Sequence, residues 1–540
     1  MTETKPWWKD AVVYQVYVRS FADGNGDGTG DIAGLRSRLP YLKSLGVDAI
    51  WVNPWYASPL RDGGYDVADY RSINPIFGTL EEATQLIREA GEIGLRLLVD
   101  LVPNHTSSEH RWFKEAVSSP PGSEARRRYH FLPGKGPDGS LPPNDWGSVF
   151  GGPAWTRLPD DEWYLHLFDP SQPDLNWENP EVRQEFEDIL RFWLDRGAAG
   201  FRVDVAHSLV KAPGYPDAGD ELDRHLQPPA GTQSPMWDRD ELHEIVEEWR
   251  SVLDEYQDSV MVAEAWVPTW DRLARYLRPG EYHQVFDFHF LVSPWEAAEM
   301  KKRTDVAIST TAAVGSVPTW VLSNHDVVRH ATRYGLPQDI DPRKWLTSGD
   351  RSLLDAETGL RRARAAILLM LALPGSVYLY QGEELGLPEV HDLPVDVLDD
   401  PVWARSNHKE KGRDGCRVPL PWSQAGPFFG FGEAEPWLPQ PDWWGGFSVE
   451  AQDGVEGSTL ELYREAIRTR DENFHTTTIE WLDLGADVLA FRRGSGVRCI
   501  VNFGKDPLTL PPGRVLISSE PLSDRSLPQD VAVWIAGEEA

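Results

Sequence analysis

Four carboxylates stand at or just past the ends of short apolar runs. Asp100 lies in L-R-L-L-V-D-L-V (95–102), Asp204 in G-F-R-V-D-V-A (200–206), Glu264 in V-M-V-A-E-A-W (260–266) and Asp326 in S-N-H-D (323–326). In 200–206 the two-residue period of a strand puts Arg202 and Asp204 on one face and Phe201, Val203 and Val205 on the other. A charged face on so apolar a strand is either solvated or lines a site. Paired carboxylates are what cleavage of a glycosidic bond requires: one attacks the anomeric carbon, the other gives the leaving oxygen its proton. Asp204, with Arg202 beside it favouring the ionised form, suits the nucleophile. Glu264, set among apolar residues that favour the neutral form, suits the proton donor. Asp326 supplies like charge to Glu264 and two oxygens for sugar hydroxyls. His105 in V-P-N-H-T and His325 in S-N-H-D can donate to hydroxyls, and Tyr65 with Asp66 in G-G-Y-D-V-A-D-Y pairs an aromatic platform with an acid. Any one Asp after a strand serves equally well as a helix cap, and His207 as a wall residue. The convergence of several strand ends separates the catalytic reading from these.

That convergence needs a scaffold. Eight β-rich runs start near residues 12, 49, 95, 201, 260, 284, 318 and 376, with helical patterns such as Asp31 to Leu45 and Leu80 to Ala90 between them. Thr79 followed by Glu82 reads as a capping box. The alternation predicts a parallel sheet, closed as a (β/α)8 TIM barrel or open and doubly wound. No G-x-G-x-x-G follows the first run, which removes support from a dinucleotide fold. The segment 104–174 is too long for one crossover and is rich in Pro, Gly, Asp and Trp, so it reads as a subdomain inserted after strand three, walling the site. Beyond residue 470 short alternating runs split by Gly and Pro predict a small antiparallel β domain. The expected organisation is a barrel over 1–103 and 175–470, an insert over 104–174 and a C-terminal β domain over 471–540.

The stretch D-G-N-G-D-G-T-G-D (23–31) places oxygen side chains at Asp23, Asn25, Asp27, Thr29 and Asp31. Such a cage suits a structural Ca2+ or Mg2+. Against it stand a glycine-rich turn without metal and the missing acid at the twelfth loop position, where Gly34 stands. The formal charge of −32 disfavours nucleic acid and anionic membranes. The 24 Trp offer flat faces for sugar as well as core. Two cysteines, Cys416 and Cys499, make no disulfide framework and are expected as free buried thiols. Neither a signal-peptide core nor an apolar run of about 18 residues is present, so a cytoplasmic protein, monomer or homodimer, with a small sugar substrate and no organic cofactor is expected.

The blocks D-L-V-P-N-H (100–105), G-F-R-V-D-V-A (200–206), V-A-E-A-W (262–266) and S-N-H-D (323–326), with Q-P-D-L-N (172–176), R-V-P-L-P-W (417–422) and the opening V-V-Y-Q-V-Y-V-R-S-F-A-D-G-N-G-D-G, resemble the α-amylase family of glycoside hydrolases, in its α-glucosidase and oligo-1,6-glucosidase branch. The resemblance covers nearly the whole chain. It implies a TIM barrel with an insert and a C-terminal β-sandwich. It implies retaining double displacement with Asp204 as nucleophile, Glu264 as acid/base and Asp326 as transition-state stabiliser. Tyr65, Asp66, His105, Arg202 and His325 would hold the glucose, and the loop Asp23 to Asp31 would be the branch's metal site. The implied activity is that of an exo-acting α-glucosidase releasing α-glucose from short maltose-like sugars, with transglucosylation. An oligo-1,6-glucosidase, or a glucosyltransferase or isomerase of the trehalose synthase or sucrose isomerase type, is the alternative.

Overall fold

The computed structural model describes residues 6–219, 226–227, 229–494 and 496–537. The eight apolar runs form parallel strands β1 (Val12–Val16), β2 (Ala49–Val52), β3 (Arg96–Leu101), β4 (Gly200–Val203), β5 (Val260–Ala263), β6 (Gln284–Val285), β7 (Thr319–Val321) and β8 (Ser376–Tyr380). They pair in the order β6-β5-β4-β3-β2-β1-β8-β7. A parallel bridge between Phe286 and Thr319 joins the two edges, so the sheet is a (β/α)8 barrel and not an open one.

The runs are apolar throughout because these strands are buried on both faces. Val13, Ala49, Trp51, Leu98, Val262, Val321 and Tyr378 pack inside the barrel. Alternate residues such as Tyr14, Ile50, Val99, Phe201, Val203 and Met261 pack outward against the helices. The helix Leu80–Glu92 begins with the expected capping box between Thr79 and Glu82. The helical pattern from Asp31 to Leu45 becomes two helices, Ile32–Ser37 and Leu39–Leu45, with Pro40 in the first turn of the second.

Between β3 and β4, the segments Phe131–Pro133, Glu162–Leu165 and Trp155–Arg157 form a three-stranded antiparallel sheet. Its aromatic core of Trp146, Trp155 and Phe168 packs on Val205, Met236 and Trp237 from the loop after β4. At the C-terminal end, β9 (Ile479–Leu482), β10 (Val488–Arg493), β11 (Val497–Asn502), β12 (Arg514–Ser518) and β13 (Val531–Ala536) form an antiparallel sheet in the order β9-β10-β11-β13-β12. One face packs on the helix Ala356–Ala372, which lies between β7 and β8, and the other on a two-stranded ribbon of Leu508–Thr509 and Ser526–Leu527. Cys416 and Cys499 are free and buried. No helix among the described residues is long and apolar enough to cross a membrane.

Candidate active site

The charged face of β4 points into the barrel mouth. Register sets Arg202 beside Asp100 on β3 and beside Val262 on β5. Its Nη1 lies 2.9 Å from Asp100 Oδ1 and 2.6 Å from Asp204 Oδ1, and its Nη2 lies 2.6 Å from Glu264 Oε2. The Trp51 ring lies beside the guanidinium, 4.9 Å away. Two backbone features bring β4 and β5 this close. Gly200 has φ +143, and a Cβ there would sit 1.9 Å from the Val260 carbonyl oxygen. Val205 has φ 40, a strained conformation for a β-branched residue. This turn lets Val205 N donate to Glu264 Oε2 at 3.2 Å and Ala206 N to the Glu264 carbonyl at 2.8 Å. Trp266 Nε1 donates to Glu264 Oε1 at 3.2 Å. Glu264 is therefore not in an apolar setting; it shares its cation with Asp204.

One guanidinium cannot neutralise three buried carboxylates, and Asp100 and Asp204 hold protons more tightly than free carboxyls do. Burial pushes Asp204 well above the usual carboxylate range against the pull of Arg202, with Glu264 and Asp100 adding to the rise. Burial likewise pushes Asp100 up to about 7, again against Arg202. The Glu264 carboxyl lies within hydrogen-bond reach of Asp204.

Asp326 faces this pair with different support. Arg413 Nη1 and Arg417 Nη2 each lie 3.0 Å from its Oδ1. Burial would raise this carboxyl, but the charges around it, Arg413 and Arg417 among them, outweigh burial and hold it well below the usual range. Gln15 Nε2 donates to His325 Nδ1 at 2.8 Å, which leaves the Nε2 proton facing Asp326 Oδ2 at 3.3 Å. Burial drives His325 well below its ordinary value, so the ring is neutral. Tyr65 stacks on that ring, 5.3 Å between centroids, and its hydroxyl donates to Asp100 Oδ2 at 3.1 Å. His105 Nε2 lies 3.1 Å from the Tyr65 carbonyl oxygen, and burial lowers this ring to about 4.

Tyr65, His105, Asp204, Glu264, Asp326 and Phe168 line one cavity of about 1060 Å³, while Arg202 and His325, expected to hold the sugar, are buried behind its wall. Asp66 does not line it either. Ser58 Oγ, Arg61 N and Asp62 N take its carboxylate oxygens beneath the turn 58–62, and burial pushes it up to about 6. Asp62 reaches the cavity in its place. Its Oδ1 accepts from Arg413 Nη2 at 2.7 Å and its Oδ2 from Gln172 Nε2 at 3.0 Å. Asp62, Arg413 and Arg417 were missed from sequence. Arg417 opens the R-V-P-L-P-W block (417–422), but nothing in the sequence pointed to Arg413 or to Asp62 as part of the site. Eleven Trp are fully buried, among them Trp51, Trp55 and Trp146, and among the described residues only Trp266 lines the cavity, so the tryptophans are chiefly core.

The metal expected in the 23–31 loop is corrected. Among the described residues no group of three or more His, Cys, Asp or Glu is placed to hold a metal ion. The loop turns its oxygens onto its own backbone. Asp23 accepts from the amides of Gly26, Asp27 and Gly28, and Asp31 from those of Gly24, Asn25 and Gly34. Asp27 accepts from Thr29 N and from Asn25 Nδ2. The alternating acids and glycines build turns that consume the charge.

The family model described as "Alpha amylase, catalytic domain" matches residues 15–479, and a domain of unknown function matches 478–534. The chain is similar to a probable α-glucosidase of Rhizobium meliloti (strain 1021), 37% identical over 534 residues, which cover 94% of this chain and 91% of that protein. It superposes on the crystal structure of an α-glucosyl transfer enzyme with TM-score 0.85 at 34% identity, covering 99% of this chain and 100% of that one. The trehalulose synthase of Pseudomonas mesoacidophila gives TM-score 0.85 at 31% identity, covering 98% and 99%. With its catalytic model matched from β1 to β9 and similarity to such relatives over nearly its full length, the chain belongs to the α-amylase family of glycoside hydrolases.

Proposed function

We propose that this chain is a retaining α-glucosyl-transferring enzyme of the sucrose isomerase or trehalose synthase type, which takes glucose from a short α-glucoside and hands it to a sugar hydroxyl. One observation carries the retaining part of this reading: Asp204 and Glu264 share Arg202 and lie within hydrogen-bond reach of each other. An inverting pair is spaced to hold a water between its carboxyls, and this pair has no such gap. With the proton of the pair on Glu264, Asp204 attacks the anomeric carbon as a carboxylate while Glu264 passes that proton to the leaving oxygen. The leaving sugar then departs, and the glucosyl ester on Asp204 remains. Glu264, now a carboxylate, takes the proton of an acceptor hydroxyl as that oxygen attacks the same carbon and releases Asp204. Two inversions return the α configuration. Asp326, kept ionised by its two arginines, holds sugar hydroxyls.

Arg413 ties Asp62 to Asp326 across the cavity, which supports a dead end that admits one terminal glucose. A cavity of about 1060 Å³ leaves room for an acceptor beside the donor. The full-length likeness to a transfer enzyme and a trehalulose synthase supports transfer over hydrolysis. The likeness to a probable α-glucosidase favours the second reading, an exo-acting α-glucosidase releasing α-glucose. We also propose the barrel as residues 1–103 and 175–470, the insert as 104–174 and the C-terminal domain as 471–540.

Sucrose, maltose, isomaltose and trehalose, each followed by NMR at high sugar concentration, separate the readings. A new disaccharide exceeding free glucose is the expected result. Free α-glucose from every donor, with no disaccharide, moves the protein to the glucosidases. First-formed β-glucose sinks the retaining mechanism.

A further inference from the structure

One wall of the catalytic cavity carries positive charge that no carboxylate meets. Lys411 Nζ donates to the His391 carbonyl oxygen at 3.1 Å, and Arg351 Nη2 donates to the same oxygen at 2.8 Å. Two cations thus share one neutral acceptor. Among the described residues neither has an ion pair; Asp392 acts on both from beyond that range. Arg351 Nη1 is buried with no partner at all. Burial, then the neighbouring Arg351, lowers the Lys411 ammonium from its ordinary value, so the charge is held at a cost. Lys411 lines the cavity together with Lys409 and Arg343, which are likewise without ion pairs. The acids of this wall offset little of it. Asp341, Glu389 and Glu410 line the same wall, but among the described residues none of them forms an ion pair with Lys411, Lys409 or Arg343.

This arrangement is unexpected in a chain of formal charge −32. The same cavity is lined by the carboxylates Asp62, Asp204, Glu264 and Asp326, two of which Arg413 already pairs. A neutral sugar leaves the repulsion between Lys411 and Arg351 standing. An anion removes it, and takes the two ammonium N–H groups that His391 does not use.

We propose that the Lys411 wall binds an anionic group, a phosphate or a carboxylate, on the leaving group or acceptor while the neutral glucosyl unit sits against Asp204, Glu264 and Asp326. This rests on the glucosyl-transfer reading. It assigns the substrate class: α-glucosides of a phosphorylated sugar or of a hydroxy acid.

Two matched pairs test it: trehalose with trehalose 6-phosphate, and 2-O-α-glucosylglycerol with 2-O-α-glucosylglycerate. The expected kcat/KM favours the anionic member of at least one pair by about tenfold or more, the size of one charge-assisted hydrogen bond. Preference within the first pair alone assigns phosphate, and within the second alone carboxylate. High salt should erase the preference, and Lys411→Gln and Arg343→Gln should each lower the anionic-to-neutral ratio. Neutral members preferred in both pairs, with ratios unmoved by the substitutions, overturn the inference and leave glucosyl transfer intact. Loss of all turnover, maltose included, would count against the transfer reading itself. Calorimetry of glucose 6-phosphate against glucose then decides the anion site by itself: tighter binding of the phosphate, weakened by Lys411→Gln, supports it, and equal binding overturns it.

Discussion

Arg202 divides one guanidinium among Asp100, Asp204 and Glu264, and the proposed mechanism turns on the last two. Asp204→Asn keeps the shape and removes the proposed nucleophile, so turnover should fall about a thousandfold or more with the circular dichroism unchanged. Retained turnover would place the covalent step elsewhere. A second buried acid affects stability instead. Glu383, just past β8, accepts from Tyr380 N at 3.0 Å through one oxygen, and its other oxygen has no partner. Burial pushes it up to about 8 from an ordinary 4.5. The folded chain therefore holds a proton that the unfolded chain releases near pH 4.5. Stability is full below that pH and falls as pH rises through about 8, by at most about 1.4 kcal/mol per pH unit for one proton. Glu383→Gln should narrow the gap in Tm between pH 5.5 and pH 8, and an equal gap in the variant would contradict this. At this scale the sequence was a partial guide. Residue type and strand position pointed to Asp204, Glu264 and Asp326. They could not choose between Asp62 and Asp66, because both flank Tyr65 and only the fold of turn 58–62 decides which carboxylate its amides consume.

Strand β4 shows how an element aims its residues. Gly200 leaves no room for a side chain against the Val260 carbonyl, and its φ of +143 suits no other residue well. That approach holds Arg202 and Asp204 within reach of Glu264 on the next strand. Gly200→Ala must either push β4 from β5 or strain the backbone, so a loss of about 2 kcal/mol or more is expected by thermal unfolding. Activity should fall further than the unfolded fraction explains. A variant with wild-type Tm and turnover would show that the close approach is not needed. The eight strands were legible because strands buried on both faces read as unbroken apolar runs. The 23–31 loop misled for a related reason. Alternating acid and glycine satisfies a cation cage and a set of side-chain-capped turns alike, and composition does not say which way the oxygens turn. Arg413 was illegible for want of an element: it lies 87 residues past Asp326, on a connection with no strand to fix its place.

The molecule as a whole is held together through the helix Ala356–Ala372. Residues Ala363 to Ala372 are buried without a break, so the helix has no solvent face along that stretch and lacks the period by which amphipathic helices are recognised. Barrel packs on one side and the C-terminal sheet on the other, through β11 and β13. Trp534 Nε1 donates to the Leu368 carbonyl at 3.0 Å, and Arg493 Nη1 to those of Ala372 and Leu373 at 3.0 and 2.7 Å. Arg493 thereby satisfies the carbonyls that end the helix, and burial lowers it to about 9. Phe491, Val501 and Trp534 cover the helix from the sheet side. Each large apolar side chain buried there contributes about 1.5–3 kcal/mol, and three or four together rival the net stability of a domain, about 5–15 kcal/mol. A chain ending at Thr478 keeps every residue of the cavity yet exposes this helix. It should collect in the insoluble fraction, or, if recovered, bind a hydrophobic dye and unfold at lower temperature with little turnover. A truncated chain that unfolds cooperatively and turns over donor at the full rate would show that the barrel carries its own core, with the β domain a separate addition.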